Sequence, residues 1–161
     1  MKNTSEKISR KQVFDFLSAT NLATLATVDA QGKPHAAAVQ FVVHKDFCLY
    51  FTSRVEARKF QNLISLTTVS MAITDGETMT TVQLTGEAER IEDFKAEQEL
   101  LFEIWSLRFN EATWPSPSAQ IFEHGFTNEV AVIKVRPTEL TYATFKPQKD
   151  RKYQPFFHKI I

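Results

Sequence analysis

The sequence has few of the residues that build disulfide frameworks or glycine-rich phosphate loops. It contains one cysteine, Cys48, so it can form neither an internal disulfide nor a cysteine-rich zinc site. Its four glycines never come closer together than ten positions. This spacing excludes the G-x-G-x-x-G fingerprint of dinucleotide-binding folds and the Walker A loop of nucleotide hydrolases.

Charge of one sign is also missing, because 19 Lys and Arg residues balance 19 Asp and Glu residues. General nucleic-acid binders and proteins of anionic membrane surfaces need a sustained basic field. No stretch reaches the roughly 18 apolar residues of a membrane-spanning helix, and the N-terminal residues lack the apolar segment of a secretory signal. With the single cysteine, these absences predict a cytoplasmic protein with no nucleic-acid partner and no membrane partner.

What remains is the composition of an ordinary globular domain, with 43% hydrophobic and 24% charged residues in a chain of 161. We expect a single domain over residues 1–161, with a basic C-terminal tail over residues 145–161. Cys48 has no cationic neighbour, so we interpret it as a packed thiol within a strand rather than a nucleophile. The histidines show no pair at metal-ligand spacing, which predicts no metal site. They are His35, His44, His124 and His158.

Apolar residues alternate with polar or β-branched ones in seven short segments, which predicts seven strands. They cover residues 21–28, 35–43, 47–52, 69–74, 80–89, 130–135 and 140–145. Arg136 and Pro137 separate the last two, because proline does not fit inside an inner strand. A capping box of Ser9 and Gln12 opens a first helix, and two more helices are predicted at residues 54–64 and 92–109. Short turns make the strands antiparallel, and six or seven such strands indicate a closed barrel.

The most informative segment joins the third predicted strand to the second helix. Thr52 and Ser53 end the strand, and Ser53 with Glu56 predicts a capping box at the start of the helix. Three cations follow in the first turns, at Arg54, Arg58 and Lys59. Hydroxyl donors, helix amides and cations together favour a phosphate site. The same residues also fit a solvated helix face with an ordinary serine cap, so the pattern alone leaves both interpretations open.

Neighbouring segments add a family resemblance. The segments L-A-T-L-A-T-V-D-A-Q-G-K-P-H, L-Y-F-T, V-Q-L-T-G-E-A-E and V-A-V-I-K-V-R-P follow in that order, with R-K and N-L in the helix after L-Y-F-T. Together they resemble the pyridoxamine 5′-phosphate oxidase-like family of FMN-binding split barrels over residues 21–145. The resemblance implies a mainly β (α+β) fold, a six-stranded antiparallel split β-barrel with flanking helices.

The resemblance also implies a cofactor and a partner. FMN would lie at the interface of a homodimer, because side chains fill the interior of a small barrel and the flavin needs a second wall. The family pattern implies that the phosphate is held by Thr52, Ser53, Arg58 and Lys59. The ring would follow the backbone of Ala38, Val39 and Gln40, and Gln83 would bind the ring or the ribityl chain.

The chain departs from the vitamin-processing oxidase that gives the family its name. It has Ala37 or Ala38 in place of a strand arginine and Thr81 in place of a strand glutamine. Its C-terminal segment T-F-K-P-Q-K-D-R-K-Y-Q-P-F-F-H-K-I-I has no counterpart of the oxidase's substrate-binding segment. We therefore do not expect pyridoxamine phosphate to be the substrate.

The functional expectation is an FMN-dependent oxidoreductase that uses a small-molecule electron donor or acceptor and needs no catalytic side chain. Two alternatives stay open. One is a non-catalytic flavin- or haem-binding protein of storage, sensing, stress or utilisation, with a related enzymatic variant, haem handling, for which His158 is a conceivable ligand; the other is a deazaflavin-dependent reductase. Trp114, in the irregular segment T-W-P-S-P-S, is interpreted either as a packed side chain or as a cover for the flavin or a partner subunit.

Overall fold

The computed structural model describes residues 8–92, 129–145 and 157–161 of the chain. Two helices and seven strands occur in this part. In chain order they are α1 (Arg10–Ala19), β1 (Leu22–Val28), β2 (Pro34–Val43), β3 (Leu49–Arg54), α2 (Arg58–Ser65), β4 (Thr68–Asp75), β5 (Thr80–Arg90), β6 (Val130–Thr144) and β7 (His158–Lys159). No helix among the described residues is long and apolar enough to cross a membrane.

The sheet closes on itself to form a barrel. Its strands follow the order β3-β2-β1-β4-β5-β6-β7, and each pairing among these strands is antiparallel. A further pairing joins β3 to β6, from Leu49↔Val135 to Arg54↔Val130, and this pairing closes the first six strands into a ring. β7 adds a seventh, short strand to the far half of β6. The predicted six-stranded antiparallel barrel with flanking helices is confirmed.

Side chains of alternate strand residues fill the barrel. In β4, for example, Val69, Met71 and Ile73 are buried while their neighbours are exposed. The largest fully buried side chains include Leu25, Phe41, Phe51, Leu84 and Ile133. A core filled in this way leaves the outer surface of the barrel for a cofactor.

The first helix begins as its sequence predicts. The Ser9 hydroxyl accepts a hydrogen bond from the Gln12 amide at 3.2 Å, and the Gln12 side chain accepts one from the Ser9 amide at 2.8 Å. This capping box satisfies two of the amides that a helix start leaves without partners. Val13 and Leu17 are buried in the core.

The start of α2 differs from the prediction. The capping box of Ser53 and Glu56 is wrong, because α2 begins at Arg58 and its N-cap residue is Ala57. β3 keeps its pairing with β6 as far as Arg54, and the Val55 amide still donates to the Glu129 carbonyl at 2.9 Å. These ladder hydrogen bonds hold Ser53 in an extended strand, so Ser53 does not cap the helix.

The prediction of two strands separated by Arg136 and Pro137 is also wrong, because β6 runs without interruption through Pro137. Its pairing with β5 shifts there: Thr85 lies opposite Glu139 and Gly86 lies opposite Pro137. The extra residue, Thr138, forms a β-bulge. A bulge interrupts the ladder locally, and this allows a proline inside a paired strand.

The third strand begins two residues later than predicted. Phe47 has a φ of 68°, which belongs to a turn, and β3 starts at Leu49. Cys48 therefore precedes the strand. Its side chain is 3% exposed, and its amide donates to Asp46 Oδ1 at 2.9 Å. Burial, together with the negative charge of Asp46, raises the pKa of the Cys48 thiol to about 11, as expected for an unreactive packed thiol.

Several sequence predictions fall outside the described residues. They are the helix predicted at residues 92–109 beyond its first residue, the irregular segment at residues 113–118, and the roles of Trp114 and His124.

Candidate functional site

The barrel wall is split between β2 and β3. The two strands pair from Val43↔Leu49 to Phe41↔Phe51 and then separate. Beyond that point, within the described residues, β2 continues to Pro34 against β1 alone, and β3 continues to Arg54 against β6 alone. Each strand therefore presents one open edge along this split.

The open edge of β2 carries the backbone groups of Ala38 and Gln40. The Phe41 amide donates to the Asn21 carbonyl at 3.0 Å, so the backbone of Phe41 faces β1. Backbone direction alternates along an antiparallel strand, so the N–H and C=O groups of Gln40 and Ala38 face the split. The backbone of Val39 faces β1, and its side chain lies in the core. Of the three predicted ring-binding residues, Ala38 thus has peptide groups that face the split beyond the last β2–β3 pair, the Gln40 carbonyl is turned to Thr52 in the last rung of that ladder, and Val39 connects the two.

Two predicted site residues from distant parts of the chain lie on one outer face of the barrel. Ala38 pairs with Thr24, Thr24 with Ala72, and Ala72 with Gln83. This row crosses four neighbouring strands, and all four side chains are exposed. The row beside it consists of Ala36, Ala26, Ser70 and Thr85. Nearly all of these side chains are small, so few of them project far from the sheet; this face is here named the small-residue face.

The cations at the start of α2 lie on the surface. Arg58 and Lys59 are the first two residues of α2, and Ala57 provides no side-chain acceptor for the amides of the first turn. The Arg58 guanidinium lies 3.7 Å from the Asp29 carboxylate, which follows β1. Lys59 forms no ion pair with any described residue and is half-buried. An uncapped helix start with two cations favours an anion.

The two hydroxyl residues of β3 face opposite ways. Ser53 is buried, and its hydroxyl donates to the Arg54 carbonyl at 3.1 Å. Thr52, one residue earlier, is half-buried and points to the other side of the strand, outside the barrel. The structure thus brings Thr52 to the outer surface beside the split and leaves Ser53 in the interior.

The sequence pattern missed one polar contact beneath α2. Asn62 Nδ2 donates to Thr27 Oγ1 at 2.9 Å, and both side chains are buried. The sequence signal for it was the side-chain amide of Asn62, which lies between Phe60 and Leu63, the two apolar residues that α2 buries.

His158, the conceivable haem ligand, lies in β7 and pairs there with Tyr142 of β6. Among the described residues, no three His, Cys, Asp or Glu side chains cluster as metal ligands.

Comparisons with known proteins agree with this architecture. The family model described as Pyridoxamine 5′-phosphate oxidase matches residues 9–143. No curated protein matches the chain.

Solved structures share the fold at low sequence identity. A pyridoxamine 5′-phosphate oxidase-related, FMN-binding protein from Nostoc punctiforme has a TM-score of 0.65 and 15% identity, over 98% of each chain. The haem storage protein HutZ from Vibrio cholerae has a TM-score of 0.64 and 18% identity, over 81% of this chain and 92% of its own. An F420 reductase has a TM-score of 0.57 and 22% identity, over 78% of this chain and 93% of its own.

Proposed function

Because the chain belongs to the pyridoxamine 5′-phosphate oxidase family, we propose that it is an FMN-dependent oxidoreductase whose flavin binds between two copies of the barrel. The observation that carries this proposal is the open edge of β2 together with the cationic helix start: Arg58 lies 3.7 Å from Asp29, which follows β1, the strand that pairs with β2 as far as Pro34. An isoalloxazine ring has hydrogen-bond donors and acceptors along one edge, and a phosphate is a dianion. The backbone edge of β2 matches the polar edge of the ring, and the cationic start of α2 matches the phosphate.

The residues of the chain fit such a cofactor in separate roles. The peptide groups of Ala38 and the N–H group of Gln40 face the split and can bind the polar edge of a ring. Lys59, Arg58 and the first amides of α2 can hold a phosphate by charge-assisted hydrogen bonds, and Thr52, on the outer side of β3, is proposed to add its hydroxyl. Ser53 would support the site only indirectly, by pairing β3 with β6, since its hydroxyl donates to the Arg54 carbonyl and its backbone faces Ala131 of β6. Bound FMN supplies the electron transfer, so the protein needs to bind, orient and shield it.

The second wall of the site is proposed to be another copy of the chain. The small-residue face has no side chain bulky enough to enclose a ligand, but its small side chains would let a second sheet pack closely. Leu22, at one margin of this face, is 57% exposed, which is high for a large apolar side chain. A two-fold dimer would cover both features and would bring Gln83 of one copy towards the flavin.

The first test is cofactor content and binding. The purified protein is titrated with FMN, riboflavin, a deazaflavin and haem, following flavin and deazaflavin fluorescence and haem absorbance. We expect FMN to bind more tightly than riboflavin, because riboflavin lacks the phosphate, and sedimentation to give a dimer. Tight binding of haem or deazaflavin without binding of FMN would overturn the assignment of the cofactor. Names of structural neighbours include all three cofactor types, so each is assayed.

The second test separates an enzyme from a storage or sensing module. The FMN-loaded protein is mixed with NADH or NADPH without oxygen, and the flavin absorbance is followed. Reduction within seconds and reoxidation by a small-molecule acceptor would support an oxidoreductase. A bound flavin that neither nicotinamide reduces, and that no acceptor reoxidises after chemical reduction, would contradict turnover and favour a flavin-binding module.

A further inference from the structure

The tie between α2 and the barrel includes a buried hydrogen bond between two polar side chains far apart in sequence. Asn62 Nδ2 donates to Thr27 Oγ1 at 2.9 Å, across 35 residues. Thr27 is 1% exposed and Asn62 is 5% exposed. Thr27 lies in β1 opposite His35 of β2, the strand that carries the open edge.

Stability alone does not account for a polar pair in this place. A buried amide loses its water and regains only part of that free energy from one hydrogen bond. A leucine of similar size at position 62 and a valine at position 27 would fill the same volume without that cost. Phe60 and Leu63, the buried apolar residues of α2, already bind the helix to the core. Apolar contacts are not directional, however, so they do not fix how far the helix slides or rotates.

The hydrogen bond fixes the helix close to its cationic start. Asn62 is one helical turn after Arg58 and Lys59. Two residues after Thr27, Asp29 lies 3.7 Å from Arg58. The end of β1 and the first turns of α2 are thus joined at two points, one buried and hydrogen-bonded, the other exposed and ionic. Together they define where the cations lie relative to β1 and β2.

We propose that Asn62 and Thr27 are a positioning pair for the anion site: they do not touch the flavin, but they hold the first turn of α2 so that Lys59 and Arg58 meet its phosphate. The inference rests on the proposed function. It deepens that function by naming the residues that set its preference for a phosphorylated flavin.

The test compares FMN with riboflavin in matched variants. Thr27→Val removes the acceptor and keeps the shape, while Thr27→Ser keeps the acceptor. We expect Thr27→Val to weaken FMN binding about tenfold, the effect of losing one well-aligned charge-assisted hydrogen bond. Riboflavin binding should change less than about twofold, because the ring site lies on β2. Thr27→Ser should keep the preference of the unmodified protein for FMN.

A double variant separates positioning from folding. Thr27→Val alone leaves the Asn62 amide buried without a partner and lowers stability, whereas Thr27→Val with Asn62→Leu replaces both groups and restores the melting temperature. We expect the double variant still to lose the preference for FMN. A double variant with the full preference, or a Thr27→Val protein in which FMN and riboflavin weaken equally, would overturn the positioning role. If the unmodified protein itself prefers neither flavin, the proposed phosphate site fails, and the pair fails with it.

Discussion

A methyl group on Gly86 would lie 2.5 Å from the carbonyl oxygen of Arg136, closer than non-bonded atoms approach. Gly86 is in β5, and Arg136 precedes the bulge of β6. The two backbones come this close where the bulge shifts the pairing of β5 with β6. Position 86 therefore has room only for glycine.

Gly86→Ala should destabilise the barrel. The obstacle is backbone rather than a movable side chain, so one of the two strands must shift, at a cost of about 1–3 kcal/mol in the free energy of unfolding. Gly76→Ala is the matched control, because a Cβ there meets nothing within 4 Å. It should change stability by less than about 1 kcal/mol. Urea unfolding measures both, and equal values for the two variants would contradict the close approach.

Arg58→Gln with Lys59→Gln should weaken FMN binding. Each charge-assisted hydrogen bond to a phosphate contributes about 1.5–3 kcal/mol, so losing both should raise the Kd for FMN about a hundredfold or more. Glutamine is nearly as good a helix former as arginine or lysine, so the melting temperature without flavin should stay the same.

The matched control is Arg10→Gln with Lys11→Gln, since these cations occupy the first two positions of α1. This pair should leave FMN binding unchanged. Calorimetric titration gives both constants. If FMN binds the α2 variant and the unmodified protein equally well, Arg58 and Lys59 are only a solvated helix face.

Ala72→Arg should separate the proposed dimer. Ala72 lies in the middle of the small-residue face and is exposed in the single chain, so the barrel can accommodate arginine there. In a closely packed dimer the same charge would be buried without a partner, at a cost of about 3 kcal/mol or more. Sedimentation should show a monomer at concentrations where the unmodified protein is dimeric. Met79→Arg, in the turn between β4 and β5, is the control and should remain dimeric.

Cys48 should make stability fall at alkaline pH. Its pKa in the folded protein is about 11, against an ordinary value of 9.0. The folded state thus favours the neutral thiol. The contribution of this thiol to the free energy of unfolding is complete below pH 9. It is lost as the pH rises through 11, because between these values the thiol ionises only in the unfolded chain. Urea unfolding between pH 8 and pH 10.5 should show a steeper loss for the unmodified protein than for Cys48→Ala, and parallel curves would contradict the shift.

Local patterns were enough to predict most elements of the fold. The alternation of Val69, Met71 and Ile73 identifies β4, and the pairing of Ser9 with Gln12 identifies the start of α1. Both depend on residues close in sequence. The start of α2 was mispredicted because Ser53 is held by β6, whose paired residue Ala131 is 78 positions away. Pro137 was misread for the same kind of reason, since the bulge that accommodates it exists only in the pairing with β5.

The candidate site likewise combines features that local sequence patterns show with features that depend on pairing between distant segments. The cations of α2 and the hydroxyl of Thr52 are visible in the sequence, as is the polar face of β5. That Ala38 and Gln83 share one outer face follows from three successive strand registers, through Thr24 and Ala72, which no local pattern specifies. The bond from Asn62 to Thr27 likewise needs the packing of a helix on a distant strand.

The closing of the ring by β6 has a consequence for synthesis of the chain. β3 and β6 pair across 76 to 86 residues, from Arg54↔Val130 to Leu49↔Val135. While a ribosome is still making the region after β5, five barrel strands already exist, and both β3 and β5 lack their later neighbour. Two exposed strand edges at once favour pairing between nascent chains. We expect newly made chains to need a holding chaperone during this interval, and chains truncated before residue 130 to aggregate when expressed.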